Sequence, residues 1–412
     1  MLAAKHSHEK EKQERPEYTL AEVLRKYLKD YEKEYGGLTY KQRSVVNNIM
    51  KCRTAALGGH ILVCKECGHV EISYNACKDR HCPGCGAFEK AQWLEAQKKW
   101  LLPVDYYHAV FTIDHVFNPL VWRNKREMYN LLCRTAAKVL KEYGREYLDG
   151  EIGFTMVLHT WGQQIQAHPH VHVIITGGAL VKTAEGYRWQ AAKKTFLFPV
   201  KKLSKDFRKA FCDGIRKLLK NKKLDTELGR LDVRAMLEEG ESKNWEVYLQ
   251  PPIAGIENLL DYLGRYVFRI AISNNRIVKV EKGKVTFEYY DNREGGKQKE
   301  KTVTAVEFIR RFLLHVLPKR FMRIRHYGLH HGSCRGKLAE ARQLLGLAAE
   351  IPATIKLKLA EWLQEILGED AALCPHCGVG KMMKVRAFAR GTPQWKLKLA
   401  TLLERFYIRG VA

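Results

Sequence analysis

An α+β fold is predicted for this 412-residue chain, and three observations predict it. Its middle alternates amphipathic helical stripes with short β-branched and aromatic runs. Adjacent runs are joined by turn-forming residues, which signals antiparallel hairpins. Both ends read as helical, with cysteine-rich interruptions. At roughly 100–200 residues per domain, the length allows two to four domains.

The elements follow in order. In "YTLAEVLRKYLKDYEKEY", Leu20, Val23, Leu24, Tyr27, Leu28 and Tyr31 recur at helical spacing. Thr19 with Glu22 forms a capping box at its start, and Gly36–Gly37 closes it. "YKQRSVVNNIMKC" is a second helix. Residues 60–86 are too poor in apolar side chains for an ordinary core. A helix from Phe88 stops before Pro103, and "YYHAVFTI" is a strand. Residues 119–143 read as one long helix ended near Gly144. Residues 152–161 and 170–176 read as a hairpin of strands with Gly162 and "QQIQA" between them. Residues 203–220 form a helix with Leu203, Phe207, Phe211, Ile215 and Leu218 on one face. A strand over 244–250 stops at Pro251-Pro252, and a helix begins near 255. "KVTFEYYD" and "KEKTVT" flank the turn "NREGG". Thr304 with Glu307 caps "AVEFIRRFLLHVL". From about 330 the chain is mostly helical, interrupted by "CPHCG".

Charge narrows the partners. The chain has 71 Lys+Arg against 45 Asp+Glu, a net +26. Such an excess suits a polyanion, above all nucleic acid. It is densest between 193 and 223, where 12 cations face two acids. Lys193, Lys194, Lys201, Lys202, Lys205, Arg208 and Lys209 are the candidate DNA-backbone contacts; a solvated helix face is the plainer alternative. The N-terminal residues lack the apolar stretch of a signal peptide, and no run of about 18 apolar residues occurs, so no membrane is expected. The expected location is the cytoplasm.

Of 11 cysteines, six fall between 52 and 85. Clustered C-x2-C pairs in a chain without a secretion signal read as metal ligands before disulfides. Cys64-x2-Cys67 and Cys82-x2-Cys85, 14 residues apart, are predicted to hold one structural Zn²⁺. His60, Cys77 and His81 are possible additional ligands. Cys374-x2-Cys377 is half of a second zinc site, with His330, His331 and Cys334 as candidate partners. The implied organisation is a helical segment over 1–40, a zinc-binding domain over 41–103, a central α+β domain over 104–330 and a helical region over 331–412.

"HPHVHVIITGG", residues 168–178, carries histidines at every second position. Alternate strand residues share a face, so His170 and His172 point the same way. Two imidazoles on one face can chelate one ion, whereas a single buried histidine is usually a hydrogen-bonded core residue. His159, on the preceding strand, is the expected third ligand, and His168 beside Pro169 is second choice. Imidazole ligands suit Zn²⁺ or Mn²⁺ better than Mg²⁺. In "IENLLDYLGRYVFRIAISNNR", Ile256, Leu259, Leu260, Leu263, Val267 and Ile270 form an apolar stripe. Tyr262, Arg265, Tyr266 and Arg269 gather on the adjoining face. Paired tyrosines one turn apart are often peripheral core, but flanking guanidiniums match phosphate chemistry.

With "CKECGHVEISYNACKDRHCPGCG" ahead of them, these two motifs closely resemble the rolling-circle transposases of the insertion-sequence-ninety-one type. These belong to the two-tyrosine HUH endonuclease superfamily. The resemblance spans about residues 20–345. It implies a ferredoxin-like palm of antiparallel sheet and flanking helices over 104–330. It also implies a divalent ion, Mg²⁺ or Mn²⁺, on His170, His172 and His159, and nucleophiles at Tyr262 and Tyr266. Arg265 or Arg269 would stabilise the developing charge. The implied substrate is single-stranded DNA at transposon ends and target, nicked and rejoined through a 5′-phosphotyrosine. A replication initiator or relaxase uses the same chemistry. A non-enzymatic zinc-dependent DNA-binding protein is the remaining alternative, and the intact histidines and tyrosines argue against it.

Overall fold

The computed structural model describes residues 16–193, 196–226, 232–291, 294–351, 353, 358–367, 372–393, 396–398 and 401. It is mixed α and β with antiparallel sheets, as the sequence predicts. Helices α1 (Leu20–Tyr35) and α2 (Tyr40–Lys51) open the chain. Both begin with capping boxes, Thr19 with Glu22 and Thr39 with Gln42, which satisfy otherwise orphaned N–H groups. A hairpin of β1 (Gly59–Cys64) and β2 (Val70–Tyr74) follows, then α3 (Ala87–Lys98).

The palm begins with β3 (Tyr106–Thr112). The single helix expected over 119–143 is two: α4 (Asn118–Arg123) and α5 (Lys125–Leu148). Asn124 makes the break. Its amide donates to the Leu120 and Asp225 carbonyls and its Oδ1 accepts from the Asp225 N–H. Gly144 does not end α5; it lies inside it, where a Cβ would come within 3.1 Å of Ile152. The chain continues through β4 (Gly153–Trp161), β5 (Ala167–Thr176), β6 (Gly178–Thr183), β7 (Gly186–Ala191), α6 (Val200–Lys220), α7 (Val233–Ser242), β8 (Val247–Leu249) and α8 (Ile256–Val267). Then come β9 (Ile277–Glu281), β10 (Lys284–Asp291), β11 (Lys297–Thr304), α9 (Ala305–Leu314), β12 (Ile324–Gly328), α10 (Arg335–Leu344), α11 (Leu359–Leu367) and β13 (Met382–Phe388).

Five strands form the central antiparallel sheet in the order β12-β4-β5-β3-β8. Strand alternation divides its side chains between two cores. On one face Phe154, Met156, Leu158, Val171, Val173 and Phe111 pack under α5 and α6, with Phe207 edge-on to Phe111. On the other face Val157, Ile174 and Tyr106 meet Leu259, Leu260, Leu263 and Val267 of α8. The histidines of β4 and β5 belong to this second face. A separate core joins α1 and α2 to α9 and the β9–β11 sheet. The tail is not simply helical: β13 pairs antiparallel with β1, making the three-stranded sheet β13-β1-β2. Among the described residues no helix is long and apolar enough to cross a membrane.

Candidate functional site: a histidine cluster under the tyrosine helix and two four-cysteine centres

Register places the histidines. In the ladder His159 of β4 lies opposite His170 of β5, and Val157 opposite His172. Nitrogens of His159, His170 and His172 all lie within 4.8 Å of one another. His170 and His172 face each other Nε2 to Nε2 at 3.1 Å. Two neighbouring ligands of one first-row ion stand about 3 Å apart when metal–nitrogen bonds are about 2.1 Å. Protonation is set by the outer nitrogens. The Nδ1–H of His170 donates to the His168 carbonyl at 2.6 Å, which leaves its Nε2 as a lone pair. Burial, followed by the neighbouring His168, pushes the His170 pKa down to about 3. Burial and then the charges of His159 and His170 depress His172 as well. Neutral imidazoles are ready metal ligands, and His170 turns its Nε2 lone pair toward His172.

His168 stays outside the cluster. Strand β5 runs on through Pro169 to Ala167, so the proline does not interrupt it. The His168 ring lies 4.9 Å from that of His170 and 5.7 Å from that of His115, but its nitrogens do not join those of the other three histidines, and its backbone carbonyl accepts from His170. One neighbour was not anticipated. His108 of β3 packs its Nε2 2.9 Å from Nδ1 of His172 and its Nδ1 2.9 Å from Oε1 of Gln250. Its only sequence signal was a polar residue in the otherwise apolar "YYHAVFTI".

Helix α8 lies over this cluster. Its stripe Leu259, Leu260, Leu263 and Val267 is buried against the sheet. The Tyr262 ring lies 4.8 Å from that of His108. Arg269, just past the helix and exposed, is close enough for its charge to lower both His170 and His172. Arg265 and Tyr266 follow Tyr262 within about one turn of α8, but their side chains lie outside the described residues.

The cysteines pair otherwise than their spacing predicts. Cys64 and Cys67 do not meet Cys82 and Cys85. One centre is Cys52, Cys77, Cys82 and Cys85; the other is Cys64, Cys67, Cys374 and Cys377. The cause is the β1–β2 hairpin. Cys64 ends β1, whereas β2 returns the chain to the Gly59 end, with Tyr74 opposite Gly59. That delivers Cys77, Cys82 and Cys85 to Cys52, a strand's length of roughly 17 Å from Cys64. Strand β13, with Met382 opposite Cys64, brings Cys374 and Cys377 to the other end. The two knuckles of that centre match: Gly68 and Gly378 both have φ near 70°, and their N–H groups donate to the Cys64 and Cys374 carbonyls. Sulfur separations of 3.8 Å (Cys64–Cys377) and 3.7 Å (Cys67–Cys374) equal the roughly 3.8 Å edge of a zinc tetrathiolate with 2.3 Å bonds. In the first centre Cys52–Cys85 is 3.4 Å and Cys77–Cys85 is 3.7 Å.

The other expected ligands are used elsewhere. His81 donates from Nδ1 to Asp79 at 2.8 Å, and its Nε2 accepts from the Leu317 N–H. His60 sits on β1 four residues before Cys64, about 13 Å along a strand. His330 bonds Thr155, His331 caps the turn at Ser333, and Cys334 reaches Glu151. None of the three meets Cys374 or Cys377.

The basic helix lies apart from the histidines. Leu203, Phe207, Phe211, Ile215 and Leu218 of α6 are buried on the opposite sheet face. Lys202 pairs with Glu146 and Asp206, and Arg208 donates to the Lys243 carbonyl. Lys193, Lys201, Lys205 and Lys209 are exposed; Lys194 lies outside the described residues.

Comparison with known proteins agrees with this layout. The family model "Transposase zinc-binding domain" matches residues 23–113. The family model "Putative transposase" matches residues 153–337, which contain His159, His170, His172 and Tyr262. The "Putative transposase y4qJ" of Sinorhizobium fredii is 41% identical over 380 residues, 90% of this chain and 95% of that one. The "Transposase for insertion sequence element IS801" of Pseudomonas savastanoi pv. phaseolicola is 28% identical over 353 residues, 84% of each chain. No solved structure matches. With a zinc-binding domain ahead of a transposase domain, the chain belongs to the IS91-type transposases.

Proposed function

We propose that this transposase nicks and rejoins single-stranded DNA through a 5′-phosphotyrosine, with Tyr262 and Tyr266 as nucleophiles. The observation that carries the reading is the packing of the Tyr262 ring 4.8 Å from that of His108, whose Nε2 touches His172 of the three-histidine cluster. It puts a tyrosine helix and a candidate metal centre on one sheet face.

His170, His172 and His159 would hold a divalent ion, Mg²⁺ or Mn²⁺, which supplies polarisation of the scissile phosphate and orients it. The tyrosine oxygen attacks phosphorus. A P–O bond to tyrosine forms as the P–O3′ bond breaks, the phenolic proton leaves, and the 3′-oxygen departs to become a hydroxyl. The Arg269 guanidinium, beside the histidines, offsets negative charge growing on the phosphoryl oxygens. A second tyrosine allows a second cleavage while the first strand is held. Attack by a free 3′-hydroxyl on the phosphotyrosine reseals DNA without ATP, because the covalent link conserves the phosphodiester. The net +26 charge favours strand capture. The four-cysteine centres hold structural zinc, not catalytic metal, since four thiolates leave no open position.

The test uses single strands carrying element ends, labelled at either end, with Mn²⁺ or Mg²⁺. A denaturant-resistant adduct on the 5′ phosphate is expected, lost in Tyr262→Phe/Tyr266→Phe and in His170→Ala. Cleavage by the double tyrosine variant would sink the nucleophile assignment.

A further inference from the structure

We infer that His108 and Gln250 are positioning residues that set the tautomer of His172 and so its capacity to take a metal. The inference rests on the metal centre proposed above. His108 Nδ1 meets Gln250 Oε1 at 2.9 Å, and His108 Nε2 meets His172 Nδ1 at 2.9 Å. His172 Nε2 then faces His170 Nε2 at 3.1 Å. Each imidazole in this row, when neutral, has one N–H and one lone pair, so fixing one end fixes the whole row. The other end is already fixed, because His170 donates its Nδ1–H to the His168 carbonyl.

With the Gln250 oxygen accepting, His108 donates from Nδ1 and accepts at Nε2. His172 then donates from Nδ1 and turns an Nε2 lone pair toward the lone pair of His170. Two facing lone pairs repel unless a cation lies between them. With the Gln250 amide reversed, the donors of Gln250, His108 and His172 reverse while that of His170 stays, and His172 donates its Nε2–H to His170. That second arrangement is self-satisfied and closes the site to metal. Gln250 is the group in this row that serves either polarity, since its amide both donates and accepts. The sheet holds it in register: the Gln250 N–H donates to the His108 carbonyl at 2.8 Å. Partners that orient a metal-bound histidine commonly change affinity about 10–100-fold when removed.

The test measures Mn²⁺ binding to the full-length, zinc-loaded protein by the paramagnetic resonance of free Mn²⁺. Gln250→Glu presents only acceptors and should bind Mn²⁺ at least as tightly as the wild type. Gln250→Lys presents only donors and should bind about tenfold or more weakly, as should His108→Phe, which deletes the relay. Zinc content and thermal midpoint check folding. If His108→Phe does not fold, the two Gln250 variants, near in size and opposite in predicted sign, still decide. Equal weakening in Gln250→Glu and Gln250→Lys, or binding within twofold of wild type in all three, overturns the relay. Failure of the wild type to bind Mn²⁺ overturns the metal centre itself, and the relay with it.

Discussion

Cys64 and Cys377 stand 313 positions apart in the chain and hold their sulfurs 3.8 Å apart. A zinc ion held between them would fasten the tail to the N-terminal hairpin, alongside the β1–β13 ladder. We expect two zinc ions per chain and only one in Cys374→Ser/Cys377→Ser, read by elemental analysis. Limited proteolysis should then release the tail while the palm resists. Gly380→Ala should act the same way, because its Cβ would fall 2.5 Å from Cys64 Sγ. Two ions retained in the double serine variant would refute the pairing.

The other centre behaves differently because it is built into a core. Cys82 is buried with Leu20, Val45, Ile49 and Phe308, and Cys52, Cys77 and Cys85 pack beside it. A structural zinc contributes on the order of 10 kcal/mol in small domains, so its loss should unfold this module. Cys52→Ser is expected to lower the thermal midpoint far more than Cys374→Ser does. Equal shifts by calorimetry would contradict this.

The contrast explains what could be read from residues alone. Helical stripes and capping pairs were legible because period and cap chemistry are local; Thr19–Glu22 and Thr304–Glu307 both form. His159, His170 and His172 were legible because two-residue alternation and one hairpin register bring them together. The cysteine partners were not, since spacing cannot show that a short, weakly apolar hairpin carries its second strand back to Cys52. Nor could it show a strand at 382–388 crossing to β1. His108 was hidden for a related reason: its partners His172 and Gln250 are 64 and 142 positions away.

The three-histidine cluster predicts unequal roles for neighbouring imidazoles. His159→Ala removes a cluster nitrogen and should weaken Mn²⁺ binding more than tenfold, about 1.4 kcal/mol or more. His168→Ala should leave it within about twofold, because the carbonyl that accepts from His170 is backbone and survives the substitution. Calorimetric titration of the zinc-loaded protein checks both. Matching losses would place His168 in the centre and remove the distinction drawn here.

Two histidines away from that centre predict acid sensitivity. His315 lies fully enclosed, with Nδ1 accepting from the Thr160 hydroxyl and Nε2 donating to the Ile165 carbonyl. His330 is likewise enclosed against Thr155. Burial, the leading cause in each, lowers both to about 3 from an ordinary 6.5. A base with a depressed native pKa stays neutral in the folded chain while the unfolded chain takes up the proton. Its contribution is therefore complete above pH 6.5 and is lost as the pH falls toward 3. Each group adds a slope of about 1.4 kcal/mol per pH unit below 6.5, and two together about 2.7. Denaturant midpoints measured between pH 7.5 and 5 should fall along that slope. His315→Gln should be less stable at neutral pH yet flatter in its pH dependence, since an amide has no proton to gain. An unchanged slope in that variant would show that His315 is not one of the groups that titrate.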